Sequence, residues 1–166
     1  MEYQELLIEV GVLVLLALIF WQDYRHRAIH IALPIGIFVL GAYQFYLRGY
    51  EVKMAGYSLL FLLLTLGGGY LYIRIRNTAA TDLLEMIGLG DILFLAAVIP
   101  FFSPSNFILF FISGLLFSIV VFTAIPTLRK TALVPLAGLL ALYMLGIRVF
   151  QICWESDVFY AKLSVL

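Results

Sequence analysis

Cysteine, histidine and charged residues are all scarce in this sequence. Its single cysteine, Cys153, excludes an internal disulfide, and no Cys-x-x-Cys pair is present to suggest a zinc or redox centre. The ten basic and ten acidic residues cancel, which leaves no basic field for nucleic acid and no acidic tail. Charged residues make up 12% of the chain, about half the share of an ordinary soluble domain. We therefore expect no nucleic-acid partner, and we look for partners in or beside a lipid bilayer.

Hydrophobic residues make up 64% of the chain and are gathered into long runs. A bilayer core about 30 Å thick needs roughly 20 apolar residues per helix, and lipid favours helices because every backbone polar group must bond internally. Transmembrane strands are excluded, since no ten-residue alternation of apolar and polar residues is present. The sequence predicts an all-α polytopic membrane protein of about six transmembrane helices, in which residues 1–166 form a single membrane domain. The expected spans are 6–21, 29–47, 54–73, 86–102, 106–125 and 132–151, and the fourth is the weakest.

Basic residues predict how these spans are oriented. The odd-numbered connections carry more of them than the even-numbered ones, and positive charge favours cytoplasmic loops. We expect the odd connections to face the cytoplasm and both termini to lie outside, in a cytoplasmic (inner) membrane. Glu2 and Glu5 precede the first run where a secretory signal would have basic residues, so we expect that run to be a retained helix. The basic residues of the odd connections are Arg25, Arg27, Arg74, Arg76, Arg129 and Lys130.

Small residues predict where the helices approach one another closely. Glycine, alanine and serine let helix backbones approach in a membrane, and packing is the ordinary explanation for them. A run of three glycines could instead loosen the third helix. The small residues concerned are Gly67, Gly68 and Gly69, Gly114 with Ser118, and Ala137 with Ala141.

Two carboxylates are the first candidates for function, because ionisable residues at membrane depth are costly. Asp23 ends the first span and Asp91 begins the fourth, and the two intervening spans return the chain to the same side. Paired carboxyl groups cannot both ionise and share one proton, so one can act as a base and the other as an acid in peptide hydrolysis. In the alternative interpretation, Arg25 or Arg27 neutralises Asp23 as an interfacial anchor, and Asp91 caps its helix.

Other polar residues have weaker signals. The glycines of Gly88-Leu89-Gly90-Asp91 permit backbone conformations and close approach that a Cβ atom would obstruct. His26 and His30 have the spacing of two metal ligands on one helix face, but no suitable third ligand is nearby, so we expect no metal site. Glu9 lies one helical run into the first span, and we expect it near the outer boundary in a structural role.

Three segments resemble the type IV prepilin leader peptidase family, which includes the archaeal preflagellin peptidases and is distantly similar to presenilin-type GxGD proteases. Residues 23–29, Asp-Tyr-Arg-His-Arg-Ala-Ile, are similar to the family's Asp followed by basic residues and a helix start. Residues 85–97 are similar to the segment Glu-x-x-Gly-x-Gly-Asp-x-Lys-Leu-x-Ala-Ala. Residues 133–138, Leu-Val-Pro-Leu-Ala-Gly, resemble the proline-containing start of the last core helix.

This resemblance implies a GxGD aspartic protease-like fold in which Asp23 and Asp91 are the catalytic pair. It also implies that certain neighbouring residues shape the site or bind substrate. The implied activity is cleavage, without metal or cofactor, of the leader peptide of prepilin-like proteins at the cytoplasmic membrane face. The partner would be the leader and hydrophobic helix of a prepilin or pseudopilin. The neighbouring residues are Gly88, Gly90, Glu85 and Arg27.

The sequence also departs from the family pattern. His30 and Ile31 stand where the family has Pro-Asn, and Leu93 stands where it has Lys. The cysteine-rich methyltransferase region of larger bacterial members has no counterpart here, so a peptidase-only form is expected. The competing hypothesis is a catalytically inactive membrane scaffold or binding protein that retains the fold. An ion or proton carrier is a third hypothesis, opposed by the clustering of both acids at one face.

Overall fold

Every regular element of the part of the chain that the structure describes is helical. The structure is a computed structural model, and it describes residues 3–76, 88–126, 128 and 134–154. The predicted all-α class is confirmed. The elements are α1 (Tyr3–His26), α2 (Ala32–Leu47), α3 (Val52–Arg76), α4 (Leu89–Val98), a 3-10 turn (Ile99–Phe101), α5 (Pro104–Ala124) and α6 (Leu136–Trp154).

Four of these helices are long and apolar enough to cross a membrane. They are α1, the Val52–Tyr72 part of α3, α5 and the Leu136–Cys153 part of α6. Two further apolar helices, Ala32–Leu47 and Leu89–Phe101, are shorter. At 1.5 Å per residue α2 is about 24 Å long, less than the hydrocarbon thickness of about 30 Å. The chain is therefore a polytopic membrane protein with four full-length candidate spans and two short apolar helices.

Local sequence determines where several helices begin and end. Pro100 lies in the 3-10 turn that ends α4, and Pro104 opens α5 at a position where a missing N–H costs nothing. Ser103 caps α5, because its hydroxyl accepts a hydrogen bond from the Asn106 amide at 3.4 Å. After α2 the chain turns at Gly49, whose φ of 66° lies in the left-handed region that glycine favours.

The core lies along the antiparallel contact between α1 and α6. α2 and α4 pack beside this pair, and α5 joins α3 to α6. Small residues make two of the contacts close: a Cβ atom on Gly41 would lie 2.5 Å from the Phe101 ring, and one on Gly114 would lie 2.6 Å from Leu140 Cδ2. The buried side chains of the α1–α6 contact are Val12, Leu16, Ile19, Leu140, Ala141 and Met144.

The packing predicted from small residues is confirmed in part. Gly114 and Ser118 are buried in α5, and Ala137 and Ala141 are fully buried in α6. The same prediction is wrong for Gly67, Gly68 and Gly69 of α3. A Cβ atom at any of these three would meet nothing within 4 Å.

Candidate functional site

The structure brings Asp23 and Asp91 together at one end of the bundle. Asp23 lies in the last turn of α1 and is 5% exposed, and Asp91 lies in the first turn of α4. The Gly138 N–H donates a hydrogen bond to Asp23 Oδ2 at 2.6 Å, and the Ala137 N–H donates one to Asp91 Oδ1 at 2.7 Å. Since these amides are consecutive in the chain, the two carboxyl groups are neighbours, and the charge of Asp23 acts on Asp91.

The start of α6 can bind both carboxyl groups because of its position in the helix. The first four N–H groups of an α-helix have no partner within the helix, and the helix dipole adds partial positive charge there. α6 begins at Leu136, so Ala137 and Gly138 both belong to its first turn. Their amides are satisfied by side chains from two other helices, which ties the ends of α1 and α4 to the start of α6.

Gly138 determines how closely Asp23 can approach α6. A Cβ atom at this position would lie 2.9 Å from Asp23 Oδ2 and 3.0 Å from Asp23 Cβ. Separations this short do not occur between real side chains, so only glycine fits there without displacing Asp23. Sequence reasoning did not identify Ala137 or Gly138 as site residues. The available signal was a proline at 135 with glycine three residues later, at the start of an apolar run.

Gly88 and Gly90 lie close to the Asp91 side chain and to the segment before α2, respectively. Gly88 is the N-cap of α4, and its carbonyl accepts hydrogen bonds from the Asp91 amide at 3.0 Å and the Ile92 amide at 3.3 Å. A Cβ atom on Gly88 would lie 3.2 Å from Asp91 Oδ2, and one on Gly90 would lie 3.2 Å from Ile29 Cδ1. Both glycines therefore serve close approach, as expected from the sequence.

Arg27 lies beside Asp23 at the end of α1. Its amide donates to the Asp23 carbonyl at 2.9 Å, and its guanidinium Nη2 donates to the Leu128 carbonyl at 2.9 Å. The positive charge of Arg27 acts on Asp23, although no direct ion pair joins the two within the described ranges. This effect of the Arg27 charge is consistent with the interpretation of Asp23 as an interfacial anchor that an arginine neutralises. Glu85, the remaining predicted site residue, lies outside the described residues.

The residues that depart from the family pattern have structural contacts. The Ala32 amide donates to His30 Nδ1 at 3.3 Å, so His30 helps to start α2, and its own amide donates to Gln22 Oε1 at 2.9 Å. Leu93 contributes to the lining of an apolar groove. In the ranges that the structure covers, no three His, Cys, Asp or Glu side chains gather as metal ligands would.

The apolar groove has a volume of about 580 Å³ and lies between α2, α3 and α4. Along α2 it runs from Ile31 to Phe45, which is about 21 Å at 1.5 Å per residue. It therefore extends from the level of the carboxyl pair across most of the thickness of a bilayer. Residues that face it from the three helices include Pro34, Phe38, Gly56, Leu59, Leu93 and Ala97.

A second buried charged group lies at the opposite end of α1 and α6. Arg148 Nη1 donates to both carboxylate oxygens of Glu9, at 3.0 and 3.3 Å, and its Nη2 donates to Gln44 Oε1 at 3.4 Å. The guanidinium also stacks over the Phe101 ring, 4.8 Å from its centroid. Glu9 lies about 21 Å from Asp23 along α1. Sequence reasoning placed Glu9 near the outer boundary but did not pair it with Arg148.

Fold and site together define the class: a polytopic α-helical membrane protein with two neighbouring carboxyl groups held at one end of the bundle. Family models, curated proteins and solved structures give no match for the chain.

Proposed function

We propose that this chain is an aspartic endopeptidase of the membrane that cleaves the leader peptide of prepilin-like proteins. The observation that carries the proposal is the pair of hydrogen bonds from Ala137 and Gly138 to Asp91 and Asp23. These bonds fix two acids that are remote in the chain as neighbours, which is the arrangement that acid–base hydrolysis of a peptide requires. The likeness of residues 23–29, 85–97 and 133–138 to the type IV prepilin leader peptidases supplies the substrate class.

The chemistry follows from a proton shared by the pair. In this scheme one member of the pair is ionised and the other is protonated, and we give the ionised role to Asp23, which lies beside the cation Arg27. Ionised Asp23 takes a proton from water as the water oxygen attacks the scissile carbonyl carbon. Protonated Asp91 donates its proton to the carbonyl oxygen. When the C–N bond breaks, the amine leaves with a proton from Asp23, and the carbonyl re-forms as its proton returns to Asp91.

The size and apolar lining of the groove support the proposal that the substrate is itself a membrane helix. A helix 10–12 Å across would occupy roughly 1,600–2,300 Å³ over a length of 20 Å. The groove, at about 580 Å³, therefore admits one face of such a helix and leaves the rest in lipid. The hydrophobic helix of a prepilin has this character. The proposed site faces the cytoplasm of an inner membrane, with both termini outside, as the basic residues favour.

The second candidate is a catalytically inactive scaffold or binding protein. The same two hydrogen bonds favour it, because Asp23 and Asp91 satisfy the free amides at the start of α6 as structural caps would. His30 and Leu93 in place of the family residues point in the same direction. In that case the carboxyl pair stabilises the bundle and has no substrate.

Co-expression with a candidate prepilin separates the two functions. The chain and its variants Asp23→Asn and Asp91→Asn are expressed with the prepilin, and leader loss is followed as a gel shift. Both variants should insert normally and abolish cleavage, while Glu5→Gln, an exposed acid of α1, should leave cleavage unchanged. Cleavage that persists in both Asn variants, or its absence in the inserted wild-type chain, would reject the peptidase.

A further inference from the structure

Arg27 has a backbone conformation that its residue type does not favour. It follows the last residue of α1 with φ of 53°, the left-handed region, and among the described residues it is the non-glycine with positive φ. Its amide closes the end of α1 on the Asp23 carbonyl, as glycine usually does at this position. Since glycine would adopt this conformation without strain, the backbone gives no reason for arginine here, and the side chain must supply one.

The two terminal nitrogens of the Arg27 guanidinium group differ in their hydrogen bonding. Its Nη2 donates to the Leu128 carbonyl, while its Nη1 is fully buried and has no acceptor within the part of the chain that the structure describes. Arginine has only donors, and buried donors are nearly always satisfied. An enclosed, unpaired N–H beside Asp23 therefore suits an acceptor that arrives with a ligand.

The neighbouring charges restrict what that acceptor can be. An anionic phosphate at Arg27 Nη1 would be repelled by the carboxyl pair close by, whereas a neutral carbonyl oxygen would not. A peptide lying against Asp23 and Asp91 carries such carbonyls at every residue. The geometry thus favours a peptide backbone over a lipid head group.

We infer that Arg27 is a substrate-binding residue whose Nη1 donates a hydrogen bond to a backbone carbonyl of the peptide held at Asp23 and Asp91. The inference rests on the proposed function for the identity of the peptide. It goes beyond the resemblance, which offered Arg27 only as a residue that shapes the site or binds substrate. It also separates Arg27 from Arg25, two residues earlier in the same turn, whose side chain is exposed.

The test measures binding rather than cleavage. A fluorescent synthetic peptide with a short basic leader, a glycine and an apolar helix is titrated into the full chain in nanodiscs. The Asp91→Asn background prevents turnover. The variants are Arg27→Gly, which relieves the backbone, Arg27→Lys, which keeps the charge but not the planar fork, and Arg25→Gln, the matched control.

Arg27→Gly should unfold at the same or a higher temperature than the parent, yet bind the peptide at least about tenfold more weakly, a loss of about 1.4 kcal/mol. Electrostatics alone predicts the opposite result, because removing the positive charge of Arg27 reduces its repulsion of a basic leader. Weaker binding would therefore indicate a lost hydrogen bond. Arg27→Lys should recover only part of the affinity, and Arg25→Gln should stay within about twofold of the parent.

Three results would overturn the inference: unchanged affinity in Arg27→Gly, full affinity in Arg27→Lys, or no binding to the chain that carries Arg27. The failure of the proposed function looks different. A wild-type chain that binds the peptide through Arg27 and leaves it intact would support the inference while rejecting the peptidase.

Discussion

Gly138 and Asp23 are in contact across the α1–α6 interface, with the Gly138 amide 2.6 Å from Asp23 Oδ2. A methyl group added at 138 would lie 2.9 Å from that oxygen, so Gly138→Ala should push Asp23 away from α6. We expect overpacking to lower the free energy of unfolding by about 1–3 kcal/mol. We also expect the rate of cleavage to fall tenfold or more, where each factor of ten corresponds to about 1.4 kcal/mol of activation free energy. Thermal unfolding in detergent and the prepilin gel shift measure the two effects.

Gly146 provides the matched control for this substitution. It lies in the same helix, and a Cβ atom there would meet nothing within 4 Å. Gly146→Ala should therefore be neutral or stabilising by up to about 1 kcal/mol, because alanine favours helix over glycine. If Gly138→Ala behaves like Gly146→Ala in both measurements, the close contact with Asp23 has no importance.

Hydropathy predicted the helices and the shared end of the two acids, but it could not predict which helices are neighbours. Lipid leaves the backbone few alternatives to helices, so apolar runs locate them well, and parity then placed Asp23 with Asp91. The partners of both acids on α6 depend on packing, and small residues are an ambiguous guide to packing. Gly114 lies in a tight contact, whereas Gly67 faces open space. For the same reason the sequence predicted that Glu9 lies near the outer boundary but did not predict its contact with Arg148.

Cleavage should have a bell-shaped dependence on pH. At low pH both carboxyl groups are protonated and no base remains, while at high pH both are ionised and no acid remains to protonate the carbonyl oxygen. The two limbs belong to the pair and cannot be assigned to Asp23 or Asp91 singly. Initial rates on a detergent-solubilised prepilin across the pH range give the profile, with circular dichroism to exclude unfolding. A rate that continues to rise into alkaline solution would contradict a shared proton.

Filling the apolar groove should weaken substrate binding. Gly56 lies on the groove wall, and a Cβ atom there would meet nothing within 4 Å, so Gly56→Leu can fill the groove without a clash in the bundle. We expect KM to rise about tenfold with kcat little changed, since the lost interaction is with the bound helix rather than the transition state.

Gly68→Leu on the same helix is the control for the groove. Its Cβ position is also open, and Gly68 does not line the groove, so KM should stay at the wild-type value. Equal effects of Gly56→Leu and Gly68→Leu would mean that added bulk on α3, rather than occupation of the groove, changes the kinetics.

The Glu9–Arg148 pair should contribute to stability as a unit. Its side chains are 12% and 5% exposed, so removing either charge leaves the other buried in a membrane protein with no opposite charge from this pair. We expect Glu9→Leu or Arg148→Met alone to lower the free energy of unfolding by about 3–5 kcal/mol. The double variant Glu9→Leu with Arg148→Met should regain most of that loss, since apolar replacement of a buried pair is often neutral. Unfolding of the four proteins forms a double-mutant cycle, and strictly additive losses would show that the two side chains act independently.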